Sequence, residues 1–307
     1  MKRALRRLAV GVARRTPGLR GLVAELQAAR RAFAIPPGHF YSPIPAIEEL
    51  SRNADRLFGR WPGGLPGISL NEDKQLALLS ELSAYYSELP FPEHKTKDRR
   101  YFFENPMYSY SDAICLYSMI RHVRPRRIVE VGSGHSSCVM LDTSQLFFQK
   151  PIACTFIDPH PERLLSLITP EDKVQIEILP KRVQDVELGR FEELEGNDIL
   201  FIDSSHVVKV GSDVNYIVSE VLPTLRVGVY VHFHDIFYPF EYPREWIEMG
   251  WYWTEGYFLR AFLAFNSAFE IILFNTFLEH FHRERFAREM PLCLKNEGGS
   301  IWTRRIA

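Results

Sequence analysis

The chain has 307 residues, 46% hydrophobic and 24% charged, and a net charge of −1. That is ordinary globular composition, and a charge so close to zero gives no bulk field that would recruit nucleic acid. The length predicts one large domain, or a domain with an appendage, burying roughly three quarters of its unfolded surface. Cys115, Cys138, Cys154 and Cys293 show no CxxC pairing and read as reduced core thiols of a cytoplasmic protein. No apolar run approaches the ~20 residues of a membrane span. The nearest, residues 261–277, is broken by Asn266, Ser267 and Glu270. No secretory signal is visible.

Charge is uneven along the chain. Residues 1–35 carry nine Lys and Arg against Glu25 alone, a net of +8. Such an arm fits three roles: a solvated or frayed basic helix, a transit peptide, or a peripheral contact with an anionic membrane. Residues 36–73 are rich in Pro and Gly and are expected to wrap irregularly around a core. Leu76, Leu79, Leu82 and Tyr86 predict a helix over 73–89, and a second helix is expected over 109–123. The rhythm then changes. Strands are predicted at 127–131, 153–158, 174–178, 198–203 and 227–233, separated by helices near 136–149, 161–168, 186–195 and 213–225. Alternation of this kind is the pattern of a doubly wound parallel sheet covered on both faces. A helix near 254–265 and strands at 269–275 and 300–306 complete the chain. The expected organisation is a basic arm (1–35), a helical and irregular extension (36–109) and an α/β domain (110–307).

The first strand runs into a turn, "RIVEVGSGHSS" (127–137). Gly132 and Gly134 let backbone come close to a ligand, and a helix starting near Ser136 offers free N–H groups. A dinucleotide fingerprint would place a third glycine where Ser137 stands. Glu130 also argues against a pyrophosphate, which a carboxylate repels, and for a cofactor with a cationic end. The amino-acid end of S-adenosylmethionine has that character.

"VEVGSGHSS" resembles the first motif of the class I S-adenosylmethionine-dependent methyltransferases, and "TFIDPHPERL" resembles their second. The stretch from "GNDILFID" to "VHFHDI" is similar to a bacterial branch of that family, the macrocin O-methyltransferase and cephalosporin hydroxylase type. The resemblance covers about 200 residues. It implies a Rossmann-like, seven-stranded, mostly parallel sheet with an antiparallel last strand. It also implies a cofactor site at Glu130, Gly132, Ser133, Gly134, Ser136 and Ser137. Asp158 would take the ribose hydroxyls, Gln184 and Asp185 the adenine, and Asp203 would also border the site.

Asp203 ends the fourth strand, and His234 and Asp235 end the fifth. Metal-dependent relatives carry acidic or amide ligands at matching positions, so Asp203, His234 and Asp235 are the expected metal ligands. His234 stands where an acid or Asn is usual. An imidazole admits Fe²⁺ or Zn²⁺ beside the first choices, Mg²⁺ or Mn²⁺. The alternative for the three is a metal-free polar network. Asp203, His206 and His234 are the candidate catalytic residues, His206 as a general base. His232 alternates with His234 and is expected to face the other side of the strand, in a structural role. Aromatic clusters at "HFYSPIP", "RRYFFENPMYSY" and "FYPFEYPREWIEMGWYW" would either floor an acceptor site or seal the core. Arg99, Arg100 and Arg244 are candidates for an anionic substrate group.

The expected function is transfer of a methyl group to oxygen on a sugar, glycan or small hydroxylated metabolite. A metal-dependent hydroxylase or hydrolase, a nicotinamide-dependent oxidoreductase and a non-catalytic cofactor-binding protein are the alternatives. An oligomer is compatible with the sequence.

Overall fold

The computed structural model describes residues 35–307, together with Thr16, 19–21 and 23–25. The basic arm, and with it the membrane contact, lies almost wholly outside the described residues. The chain divides into two compact units, Met1–Gly59 and Arg60–Ala307. The described part of the first includes two short helices, Ile47–Arg52 and Ala54–Phe58, in which no residue is buried. The division cuts the segment expected to form one extension over 36–109. Residues 60–109 belong to the unit that holds the sheet, for a reason visible at Arg100. Its guanidinium donates to Asp142 (Nη1 to Oδ1, 2.6 Å) and to Asp172 (Nε to Oδ2, 2.8 Å). Arg100 is therefore spent on internal pairs and is not free for a substrate anion.

In the second unit, helix α1 (Glu72–Ser83) buries Gln75, Leu79 and Leu82, and helix α2 (Tyr110–Val123) is buried at all but two positions. The strands are β1 (Arg127–Val131), β2 (Ala153–Ile157), β3 (Glu177–Leu179), β4 (Ile199–Ile202), β5 (Tyr230–His234), β6 (Phe269–Phe274) and β7 (Ser300–Arg305). They form one seven-stranded sheet in the order β3-β2-β1-β4-β5-β7-β6. Strands β1 to β5 are parallel, and β7 runs antiparallel to both β5 and β6. This is the Rossmann-like sheet expected from the sequence. Central strand β4 is buried along its whole length, Ile-Leu-Phe-Ile, because helices cover both faces. Two strands start three residues later than expected: β5 at Tyr230, and β3 at Glu177, where Asp172–Gln175 first makes a helical turn.

Helices α3 (His135–Phe147), α4 (Glu162–Leu167) and α5 (Glu255–Leu263) matter for the site. Strand order reverses at β1, with β2 on one side and β4 on the other. The loops that follow these strands diverge there and leave a crevice at the strands' carboxyl ends. All four cysteines are buried and unpaired. Among the described residues no helix is long and apolar enough to cross a membrane.

Candidate active site at the carboxyl ends of the strands

The crevice is a cavity of about 530 Å³. One end is the turn after β1, from Val131 to Ser136, with Ile157 and Asp158 from the end of β2. The other end holds Asp203 to His206, His234, Asp235, Tyr108 and Trp253. One cavity therefore joins the glycine-rich turn to the acidic strand ends.

Asp158 organises the turn. Its Oδ2 accepts from the Ser133 N–H and hydroxyl, each at 3.0 Å, and its Oδ1 accepts from the His160 N–H at 2.8 Å. Gly132 has φ +81°, and a Cβ there would sit 2.0 Å from the Asp203 carbonyl oxygen. The glycine is thus required by the neighbouring strand, independently of any ligand.

Glu130 does not line the cavity. It is fully buried behind the turn, where its two oxygens accept the hydroxyls of Ser136 and Ser137. Ser137 Oγ in turn accepts from the Gly134 N–H at 3.0 Å. Burial pushes Glu130 up to about 8, although both hydroxyl bonds favour its anion. The direct ion pair with a cofactor ammonium, expected from the sequence, is replaced by a role in shaping the turn. Ser136 lines the cavity and Ser137 does not.

At the other end, His206 sits between carboxylates. Its Nε2 lies 3.4 Å from Asp203 Oδ1 and 3.5 Å from Asp235 Oδ2, and its Nδ1 lies 2.8 Å from Glu255 Oε2. Ligand atoms of Asp203, His206 and Asp235 all fall within 4.8 Å of one another. His234 is not part of that group. Its Nε2 reaches only Asp235 Oδ1, at 3.5 Å, and its ring packs 5.0 Å from that of Tyr108. The histidine of the cluster is therefore His206 rather than His234. A left-handed turn at His206 (φ +59°) brings the ring round, and its carbonyl holds the N–H groups of Thr254 (2.9 Å) and Glu255 (3.0 Å). Trp253 stacks on the imidazole at 4.3 Å. Burial works against the charge on His206, but bonds and charges from Asp203 and Glu255 hold its pKa well above the ordinary value. An imidazolium so held is a poor general base. For Asp203, burial pushes the carboxyl up, and the histidines outweigh it, leaving the pKa below the ordinary value.

His232 shares a face with His234, contrary to expectation, because residues two apart on a strand point the same way. The two rings are 6.2 Å apart. His232 packs against Phe201 and Trp302, neither ring nitrogen has a partner among the described residues, and burial keeps it neutral.

A methyltransferase-domain family model matches residues 129–236, which span the turn, Asp158, Asp203 and Asp235. An uncharacterized protein of Archaeoglobus fulgidus is 36% identical over 169 residues, 53% of this chain and 75% of its own length. The chain belongs to the class I S-adenosylmethionine-dependent methyltransferase family. Among solved structures, an apo structure of CmcI has a TM-score of 0.43 at 16% identity, covering 73% of this chain and 84% of its own. The O-methyltransferase TomG of Streptomyces achromogenes, solved with its methyl donor, has a TM-score of 0.42 at 14% identity, covering 84% and 96%.

The residues of this methyltransferase fit its cofactor. The cavity volume suits a nucleoside-sized ligand, and Asp158 presents a carboxylate at the end of β2. Gln184 also lines the cavity, with its Nε2 donating to the Gly211 carbonyl at 2.9 Å. Asp185 does not line it. Both its oxygens accept from Arg182, at 2.8 and 2.9 Å. We expect Asp185→Ala to change S-adenosylhomocysteine affinity less than twofold by calorimetric titration; a tenfold loss would return Asp185 to the adenine site. Sequence reasoning missed Glu255, and it singled out Trp253 and Tyr108 only as members of two aromatic clusters. The first two lie about fifty residues from His206 with no spacing signal to join them.

Proposed function

We propose that this methyltransferase moves the methyl group of S-adenosylmethionine to a hydroxyl oxygen of a sugar or small hydroxylated metabolite. We further propose that a divalent cation on Asp203, His206 and Asp235 holds that acceptor. The observation that carries this reading is the clustering of those three donors on the wall of the same cavity as the glycine-rich turn. S-adenosylmethionine supplies an already activated methyl group, so the protein's task is alignment. A bound cation would lower the pKa of the acceptor hydroxyl and fix its direction.

The protein's own groups are arranged for that task. Glu255 grips Nδ1 of His206 and leaves Nε2 facing the two aspartates, the arrangement in which an outer carboxylate orients a ligating imidazole. Oxygen and imidazole donors together suit Mg²⁺ or Mn²⁺. Trp253 backs the imidazole and is stacked in turn with Trp251 at 5.4 Å, which builds an aromatic wall beside the acceptor end. Such a wall suits the flat apolar face of a ring. A cytoplasmic setting fits four buried cysteines that remain thiols.

The test is Mn²⁺ titration of chelator-treated protein, followed by methyl transfer to a panel of hydroxylated acceptors. His206→Ala should weaken Mn²⁺ binding at least about tenfold, and Glu255→Gln by about ten- to a hundredfold. His234→Ala should leave it nearly unchanged. Equal losses for His206→Ala and His234→Ala would overturn the ligand assignment. Methyl transfer at full rate in chelator would remove the metal from the reaction.

A further inference from the structure

With Glu130 behind the turn, other groups must meet the charged end of the cofactor. Two stand at the rim. His135, the first residue of α3, lines the cavity with only 9% of its surface exposed. Its Nδ1 is shielded from solvent and has no hydrogen-bond partner among the described residues. Arg163, on α4, lies across the turn: a Cβ on Gly134 would be 3.0 Å from Arg163 Cδ and 3.9 Å from its Nη1. Arg163 also lines the cavity, and among the described residues no carboxylate or carbonyl engages its guanidinium. The other cations of the wall are placed differently. Arg182 is held by Asp185, and Lys209 belongs to the stretch that ends at Gly211, whose carbonyl Gln184 contacts. Arg163 is the unengaged cation beside the turn.

An unpaired guanidinium, an imidazole and the start of a 13-residue helix thus border the same stretch of the cavity. Together they make a site for a planar anion, since guanidinium binds carboxylate through two parallel hydrogen bonds and a helix start favours negative charge. Asp203 lines the same cavity, with its backbone packed against Gly132 of the turn. A cavity that carries both a cation and an anion suits a zwitterion.

We infer that Arg163 and His135 clamp the carboxylate at the amino-acid end of S-adenosylmethionine, so that this pair separates the cofactor from nucleosides that lack that end. The inference rests on the methyltransferase reading above. Arg163 would act by binding, not in the transfer step.

The test compares two ligands that share adenosine and a thioether. S-adenosylhomocysteine has the amino-acid end, and 5′-methylthioadenosine lacks it. Calorimetric titration of the full chain with each should show that Arg163→Ala weakens S-adenosylhomocysteine about 10- to 100-fold and changes 5′-methylthioadenosine less than twofold. Arg163→Lys should recover only part of the loss, because an ammonium lacks the planar fork. His135→Ala should show the same selectivity at smaller size. Arg163 is exposed, so the fold is not at risk. Unchanged affinity for S-adenosylhomocysteine in Arg163→Ala would overturn the clamp, as would equal loss for both ligands. Wild-type protein that binds neither nucleoside would instead remove the methyltransferase reading itself.

Discussion

Gly132→Ala is expected to cost about 3 kcal/mol or more of stability and to lower cofactor affinity at least tenfold. Two penalties combine. The backbone at Gly132 has φ +81°, a left-handed conformation that costs an alanine about 1–2 kcal/mol. The added Cβ would also lie 2.0 Å from the carbonyl oxygen of Asp203 and 3.0 Å from its carbon. That contact is backbone, not the movable end of a side chain, so β4 itself must shift. The Asp203 N–H bonds the Val131 carbonyl at 2.8 Å, which fixes the ends of β1 and β4 together. Separating them moves the Asp203 carboxylate away from His206 and widens the cavity at both of its ends. Urea unfolding and S-adenosylhomocysteine titration read the two effects. A stability change under 1 kcal/mol would show that the strand ends are looser than their geometry.

The second large effect concerns Glu130. In the folded protein its pKa is pushed up to about 8, from 4.5 in the absence of burial. Between those values the folded state keeps a proton that the unfolded chain has lost. Its contribution to stability is complete below about pH 4.5 and is lost as pH rises through about 8. At about 1.4 kcal/mol per unit, the window is worth up to about 5 kcal/mol. Glu130→Gln keeps a neutral group of the same shape between Ser136 and Ser137. The variant should therefore lose much less stability than wild type between pH 5 and pH 8. Buried Glu279 is also pushed up to about 8, so a residual slope should persist in the variant. Parallel pH profiles of urea unfolding for the two proteins would refute the protonated state of Glu130.

The order and type of most elements were legible because they are local. β1 coincides with its predicted span, and β2, β4, β6 and β7 agree to within a residue at each end. Runs of apolar residues bounded by Gly, Asp or Pro carry that information without knowledge of the partner strands. β3 was misplaced because "VQIEI" alternates well as a strand, while packing draws its first two residues into a helical turn. The contacts of the extension were not legible for a different reason. Nothing local in "KDRRYFF" shows that Arg100 will meet Asp142 and Asp172, which lie 42 and 72 residues away.

The site divides along the same line. The sequence by itself determined the family, the sheet and the placement of Gly132, Asp158, Asp203 and Asp235 at strand ends, since a motif and the strand before it are read within ten residues. Only the tertiary structure decided which side chains meet. It turned Glu130 away from the cavity, paired Asp185 with Arg182, and put His206 where His234 was expected. Each outcome depends on a backbone turn or on a partner far along the chain. His206 reaches the aspartates through a left-handed residue and a grip from Glu255, 49 positions on. Hydrophobic periodicity records burial and not the direction of a loop, so the fold was written in the pattern and the chemistry of the site was completed by packing.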